Sequence, residues 1–304
     1  MHALSPFLRY FEEVAVHGSV RRAAAHLHIA PSAVTRQLKA FEEMLGLALF
    51  ERLPRGVRLT AAGELMLARV RRLQREFDDA LEQVDALKGL RWGRVRVGVL
   101  QYLSERFIPA VLADMHRSHP GLSFTVHIDN SERIAQLIEA GELDIGLCWT
   151  PPPTALLHAV RTAAVPIGAV VPPGHALAAK RSVAFHQCAR YPLILPTAEM
   201  ELRRMLDGLH RGSAGRVTPL LETNSIVAMR QLVLDGSGVA IMTRMSVLDE
   251  LRRGELLHIP LSDTAARSMP LSLLVRAGRE LPIASAALLD RLVERFDDYA
   301  GARI

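Results

Sequence analysis

The sequence predicts an α/β protein in three parts: a small helical head closed by a β-hairpin, one long helix, and a two-lobed body. Three observations carry this. Apolar residues in the first 45 positions recur at intervals of three and four, the period of amphipathic helices. From Ala61 to Leu90 that period runs on without a proline. From Val95 onward, short β-branched runs alternate with helical stretches, the order of an α/β domain.

Ser5-Pro6 opens the first helix, with Ser5 as its expected cap. Phe7, Leu8, Phe11, Val14 and Ala15 make its buried stripe, and Gly18-Ser19 ends it. A second helix runs from Val20 to about Leu27, with Ala23, Ala24 and Leu27 on one face. A third opens at Ala30-Pro31-Ser32, where Pro31 suits a first turn that needs no backbone N–H. It reaches about Leu45 along a stripe of Val34, Leu38, Phe41 and Leu45, and its opposite face carries Ser32, Thr35, Arg36 and Lys39. Residues 49–52 and 57–60 read as short strands around a Pro54-Arg55-Gly56 turn, decorated by Arg52, Arg55 and Arg58.

A solvated polar face would explain Arg36 or Lys39 taken singly. With a basic hairpin directly behind, the pattern is a winged helix-turn-helix. The third helix suits the major groove, and the wing suits the phosphates beside it. The residues assigned to double-stranded DNA are Ala30, Pro31, Ser32, Thr35, Arg36, Lys39, Arg52 and Arg55.

The region from Leu4 to Gly63 resembles the DNA-binding domain of LysR-type transcriptional regulators. The matching residues are Ala23-Ala24 to Leu27, the run from Pro31 to Leu38, Phe41-Glu42, Leu45-Gly46, Leu49-Phe50-Glu51-Arg52 and Leu59-Thr60-Ala61-Ala62-Gly63. Phe41 and Thr35 stand where that family commonly has Leu and Ser, both conservative departures.

The 304 residues allow two or three domains, and 49% apolar with 23% charged residues describes a globular chain. The first residues mix apolar and charged side chains, unlike a signal peptide, and no run of eighteen apolar residues occurs. The expectation is a cytoplasmic protein with no membrane partner. Two cysteines make no disulfide framework. Of the net charge of +5, residues 1–60 contribute eight cations against five anions, a bias compatible with nucleic acid.

In the long helix, Val70, Leu73, Phe77, Ala80, Val84 and Leu87 form an a/d heptad seam amid charged neighbours. Such a seam either lies on its own domain or pairs with a second copy. The second is favoured because no neighbouring segment is available to cover it. The resemblance implies the same homodimer through this linker helix, a homotetramer through sensor-domain contacts, and RNA polymerase as a further partner. Gly89-Leu90-Arg91-Trp92-Gly93 is the expected hinge.

Beyond it, strands are expected at residues 95–100, 123–128 and 144–148, with helices at 107–116 and 131–140, which implies a parallel sheet. Pro151-Pro152-Pro153 breaks the pattern, and a second unit restarts with a strand at 164–172. Further strands fall at 193–195, 219–222, 239–242, 256–260 and 271–275, and helices at 199–209, 226–234 and 283–298. The expected domains are 1–60, 61–93 and 94–304. Lobe I covers about 94–163 and 268–304, and lobe II about 164–267.

Residues 94–304 resemble the LysR-type regulatory domain, which has the fold of periplasmic solute-binding proteins. The match rests on Leu137 to Gly146, Gly174 to Ala178, Glu222 to Ser225, Val233 to Ala240 and Gly254-Glu255-Leu256. It implies an effector between two lobes. Thr243 stands where Pro is usual.

The strand-end loops supply the candidate effector residues Gln101, Tyr102, Asn130, Ser131, Trp149, Thr150, Pro196, Thr197, Thr223, Asn224 and Thr243. Asn130-Ser131 at a helix start serves either as a cap or as an anion site. The hydroxyls and amides suit a small carboxylate, with Tyr102 and Trp149 as apolar walls.

Gly236-x-Gly238 is a helix cap and turn, since no Gly-Lys-Ser/Thr follows it. His116-x-x-His119 lacks further ligands, so no metal is expected. A peroxide-sensing branch of the resembled family uses a cysteine pair in the second lobe, where only Cys188 falls. No catalytic triad or carboxylate pair stands out, so neither an enzyme nor a cofactor is expected. The reading is a DNA-binding regulator controlled by a small effector. The alternatives are control by oxidation or a protein partner, or a C-terminal enzyme or solute-binding module.

Overall fold

A computed structural model describes residues 6–86, 92–210 and 218–300. Ser5, Leu87 and the hinge residues Gly89, Leu90 and Arg91 lie outside the described residues. The chain divides into two compact units, Met1–Val84 and Asp85–Ile304.

The first unit holds α1 (Pro6–His17), α2 (Val20–Leu27), α3 (Pro31–Leu45), β1 (Phe50–Leu53), β2 (Gly56–Leu59) and α4 (Ala61–Ala86). The stripes read from the sequence meet in one core around Phe11, Val14, Ala23, Ala24 and Val34. Phe11 is its centre, with ring centroids 6.1 Å from Phe41 and 5.4 Å from Phe50. Ser19 caps α2 by accepting from the Arg22 N–H, and Gly46 ends α3 at φ +67°.

One α3 side chain sets the wing. The Glu42 carboxylate accepts the N–H groups of Leu49 and Phe50 at 2.7 and 3.1 Å, which ties the third helix to β1. Leu53 pairs with Gly56, so the hairpin loop is the two residues Pro54-Arg55, one shorter than the sequence suggested. Gly56, the first residue after the loop, sits at φ +133° against α1's end, where a Cβ would lie 2.3 Å from the Gly18 carbonyl oxygen. Gly63 lets α4 press against β1: a Cβ there would lie 2.1 Å from the Leu49 carbonyl oxygen.

Val70 on α4 is buried in this core. The expected dimer seam is therefore divided. Val70 packs inside its own unit, whereas Leu73 is 48% exposed and Phe77 half-buried.

The second unit opens with β3 (Gly93–Val99), a 3-10 turn (Gln101–Ser104), α5 (Phe107–Ser118), β4 (Leu122–Ile128), α6 (Ser131–Glu139), β5 (Ile145–Trp149) and β6 (Leu157–Val171). It continues with α7 (Phe185–Cys188), β7 (Leu193–Pro196), α8 (Glu201–His210), β8 (Leu221–Thr223), α9 (Ile226–Leu234) and β9 (Val239–Thr243). Then come α10 (Leu248–Arg253), β10 (Leu257–Pro260), β11 (Ser268–Arg276) and α11 (Ile283–Ala300).

The strand order is β4-β3-β5-β11-β6-β9-β7-β8, with β10 also on β6. In one half β3 runs parallel to β4 and β5; in the other β7 runs parallel to β8 and β9. The parallel pairing expected for the strands of residues 95–148 is present in β3, β4 and β5, and the antiparallel pair β6–β11 joins the two halves into one mixed sheet. The strand expected to restart at Ala164 begins at Leu157 and passes through both halves. Arg161, Thr162 and Pro166 hid it, because polar residues and proline read as a break. Pro166 is tolerated because it sits where β6 changes partner from β11 to β9. Helices α7 and α10 were not anticipated. Each is under two turns long, too short for a periodic signal.

The ring nitrogens of the half-buried His258 on β10 are shut away from solvent, and this desolvation, reinforced by Arg244, pushes its imidazole down from 6.5 to about 4. The unfolded chain takes up this proton near pH 6.5 and the folded chain only near pH 4. Stability is therefore retained above 6.5 and lost as pH falls through that window. Going from pH 7 to pH 5 should cost about 2 kcal/mol, a slope that His258→Leu should remove from thermal unfolding curves. Gly63→Ala improves helix propensity by about 1 kcal/mol yet places a methyl on the Leu49 carbonyl. The clash should win, with a net loss of about 1–3 kcal/mol in the unfolding transition of the first unit. Unchanged stability would show that α4 shifts away freely.

Candidate nucleic-acid interface and ligand cleft

In the first unit, α3 buries Val34, Leu38 and Phe41 and leaves Ser32, Arg36 and Lys39 exposed. Ala30 precedes the helix in extended conformation and offers no side-chain cap; Ala33 and Val34 donate to its carbonyl, so the N–H left for an acceptor at the helix start is that of Ser32. Thr35 is half-buried, and its hydroxyl donates to the Pro31 carbonyl at 2.9 Å, leaving its lone pairs and methyl to face outward. On the hairpin, Arg52 and Arg55 are exposed. Arg58 pairs with Glu51, which neutralises it. Among the described residues, Arg36, Lys39, Arg52 and Arg55 form no ion pair. A free cation on a fixed scaffold is what a phosphate or a guanine edge requires.

In the second unit, a cavity of about 350 Å³ lies between the two halves of the sheet. One wall comes from the ends of β3, β4 and β5: Leu100, Gln101, Tyr102, Ile128, Asp129, Asn130 and Trp149. The other comes from the loops and helix starts after β7, β8 and β9. It comprises residues 199–202 with Asn224, Ile226, Met242, Thr243 and Ser246. Six of the residues expected from the sequence meet here: Gln101, Tyr102, Asn130, Trp149, Asn224 and Thr243.

The other five do not line the cavity, for reasons their bonds show. Thr150 Oγ1 lies 3.0 Å from the Pro270 carbonyl and 2.6 Å from Ser272 Oγ, inside the β5–β11 seam. Thr223 accepts the Ser225 N–H at 3.1 Å. Pro196 ends β7, and its carbonyl accepts from Arg203 at 3.0 Å. The Thr197 hydroxyl is buried without a partner, and the Thr197 N–H donates to the Thr223 carbonyl at 3.2 Å. Ser131 is buried and its hydroxyl has no partner. Successive residues of an extended chain face opposite ways, so of Asn130-Ser131, Trp149-Thr150 and Thr223-Asn224 one member faces the cleft and the other turns inward.

The cleft differs from the sequence expectation in its charge. Asp129, Glu199 and Glu201 line it, and among the described residues on its walls there is no Lys or Arg. Two of the helix starts beside it, those of α6 and α9, carry side-chain caps, and α8 opens with the anionic Glu201 in its first turn. Asn130 Oδ1 accepts the Arg133 N–H at 2.9 Å, and Ser225 Oγ accepts the Ala228 N–H at 3.2 Å. Of the two roles open to Asn130-Ser131, the structure displays the cap. The small carboxylate expected from hydroxyls and amides therefore meets like charge. Glu199 and Met200 reach the lip because α8 starts at Glu201, two residues later than the periodicity suggested.

Tyr102 and Trp149 pack with ring centroids 5.9 Å apart at 32°. The Tyr102 hydroxyl is buried without a partner, and burial pushes it well above its ordinary value. Ion pairs span the two halves beside the cleft: Arg230 to Glu105 and Arg106 to Asp249, both at 2.9 Å. Cys148 and Cys188 are buried free thiols that burial pushes up to about 12, so neither offers the thiolate that oxidation needs. Glu13 accepts from His17 and His26 at 3.3 and 2.9 Å, joining α1 to α2. No described helix is long and apolar enough to cross a membrane.

Comparison with known proteins agrees with this geometry. Residues 7–64 match the model of the bacterial regulatory helix-turn-helix protein, lysR family, and residues 88–297 match the LysR substrate binding domain. The chain is similar to the RuBisCO operon transcriptional regulator of Allochromatium vinosum, 26% identical over 94% of both chains. It is 31% identical to the HTH-type transcriptional regulator Mb2303c of Mycobacterium bovis over 82% of this chain and 83% of that one. Among solved structures, full-length CbnR complexed with its target DNA superposes with a TM-score of 0.68 at 21% identity, covering 97% of this chain and 99% of that one. With both family models matched in order along one chain, this protein belongs to the LysR family of transcriptional regulators and is not an enzyme.

Proposed function

We propose that this regulator binds operator DNA through α3 and the wing and is controlled by a small molecule held in the cleft of the second unit. The observation that carries this is the pairing, in one chain, of unpaired cations on α3 and the hairpin with a cavity walled by both halves of a hinged sheet. DNA binding draws support from CbnR, which was solved on its target DNA. In this reading residues 1–60 bind DNA, 61–93 link and dimerise, and 94–304 sense. Arg36 and Thr35 read base edges, the open start of α3 takes a phosphate, and Arg52 and Arg55 hold the flanking backbone.

Control follows from differential contact. A molecule that touches both walls binds the closed arrangement better and shifts the population toward it. The linker helix passes that bias on. Along α4 the face that covers the first-unit core up to Val70 continues outward as Leu73 and Phe77, apolar surface that a second copy would cover. We assign the protein to the cytoplasm as a homodimer that associates further to a tetramer and meets RNA polymerase at its promoters.

Arg36→Ala should weaken binding to a selected genomic operator by about 1–3 kcal/mol in fluorescence anisotropy and relax sequence preference at one base pair. An unchanged affinity and footprint would remove Arg36 from base readout, and loss of sequence preference by the wild type would remove the function itself. Phe77→Asp should convert the assembly to monomers in light scattering and abolish binding to a two-half-site operator. A dimer that survives would reassign Phe77 to packing within its own unit.

A further inference from the structure

We propose that the effector of this cleft is a small organic cation, an amine or guanidinium on an apolar or aromatic body. The proposal rests on reading the cleft as the effector site and names the chemistry that site accepts.

Charge is the first argument. Asp129 comes from one half of the sheet, and Glu199 and Glu201 from the other. Asp129 accepts the Asn130 N–H at 2.8 Å and lies 3.3 Å from His127. Glu201 approaches a cation only at 3.8 Å, from Arg204, which faces solvent. Glu201 lines the cavity from the first turn of α8. Three carboxylates around one small cavity favour a cation and repel an anion.

The second argument is independent of charge. Tyr102 lines the cavity and is only 6% exposed, and its buried hydroxyl has no hydrogen-bond partner. A buried hydroxyl left unpaired costs roughly 1–3 kcal/mol, and a ligand N–H donating to its oxygen recovers that. Beside it the faces of Tyr102 and Trp149 offer the ring electrons that attract ammonium and guanidinium groups. Leu100, Ile128, Met200 and Met242 provide apolar surface for the rest of the molecule. Of the helix starts on the cleft, those of α6 and α9 are filled by Asn130 and Ser225, and that of α8 carries the negative charge of Glu201 in its first turn.

The arrangement also explains how such a ligand would act. With the cleft empty, Asp129 faces Glu199 and Glu201 as like charges, which opposes closure. A cation between them turns that repulsion into attraction from both walls, so its binding energy is realised mainly in the closed form.

The test uses the full chain with Trp92→Phe, so that Trp149 is the remaining tryptophan. Agmatine, putrescine and phenethylamine are titrated against the matched carboxylates succinate and 3-phenylpropionate, reading Trp149 fluorescence and thermal stability. The expected result is that at least one amine perturbs Trp149 and raises the unfolding temperature, while its carboxylate counterpart does neither. Glu201→Gln and Asp129→Asn, near-isosteric and therefore expected to fold, should each weaken that amine about tenfold, and added salt should weaken it further. If a carboxylate perturbs Trp149 and the amines do not, the charge assignment is overturned and the cleft survives as effector site. Amine affinity unchanged in both variants also overturns it. Silence from every amine up to ~10 mM overturns it as well. The cleft reading itself falls only if a mixed extract of small metabolites also leaves Trp149 and the DNA footprint unchanged.

Discussion

The β6–β11 antiparallel pair is the constraint on which the second unit depends. All of β11 is bonded to the first ten residues of β6, Leu157–Pro166, and each strand is also bonded into a parallel half, β11 to β5 and β6 to β9. The two halves are thus joined by backbone hydrogen bonds across only two crossing strands. Such a joint resists separation, because the ladder transmits tension along the strands and one continuous hydrophobic core packs against it. The joint also sets where the cleft falls. In both halves the carboxyl ends of the parallel strands point to one place, and ligands in open α/β sheets bind outside those ends. Tyr102, Asp129 and Trp149 follow β3, β4 and β5, and Glu199, Asn224 and Thr243 follow or end β7, β8 and β9. Six strand ends therefore contribute to one cavity.

Charge divides the molecule by task. The N-terminal unit holds its anions in internal pairs: Glu42 with the N–H groups of Leu49 and Phe50, Glu51 with Arg58, Glu13 with two histidines. This leaves Arg36, Lys39, Arg52 and Arg55 without internal partners, a surface whose field is available to phosphate. In the second unit the order is reversed. Arg203 and Arg230 are held by Glu222 and Glu105, and Asp129, Glu199 and Glu201 remain on the cleft with no Lys or Arg among its described lining residues. A net charge of +5 conceals both arrangements. The Glu105–Arg230 and Arg106–Asp249 pairs matter for a different reason. They tie one half to the other at partly exposed positions where such pairs are individually weak, so a ligand of ordinary affinity competes with them.

Much of this was legible in the residues alone because the signals were local. Periodicity placed α1, α2, α3 and α9 within a residue or two, since each has a clear apolar stripe and a Ser, Pro or Gly at an end. The run from Pro31 to Leu38 and the hairpin behind it identified the DNA-binding head, because helix, cap and wing occupy contiguous positions. Strand-end positions identified half of the cleft by the same logic: Gln101, Tyr102, Asn130, Trp149, Asn224 and Thr243 follow from strand position and residue type.

Tertiary structure decided what no local signal carries. The 15 residues of β6 form one strand because β11 and β9 supply partners on either side of Pro166, and a partner distant in sequence leaves no mark on the strand itself. Thr150 and Thr223 left the candidate site because the direction of a side chain in a loop depends on what the loop packs against. The acidity of the cleft came from Asp129, Glu199 and Glu201, which lie 70 or more positions apart across its two walls and meet only when the sheet bends its halves together. Sequence determined the family, the elements and the head that faces DNA, because each rests on neighbours along the chain. Folding determined which charges face the ligand, because that depends on neighbours in space.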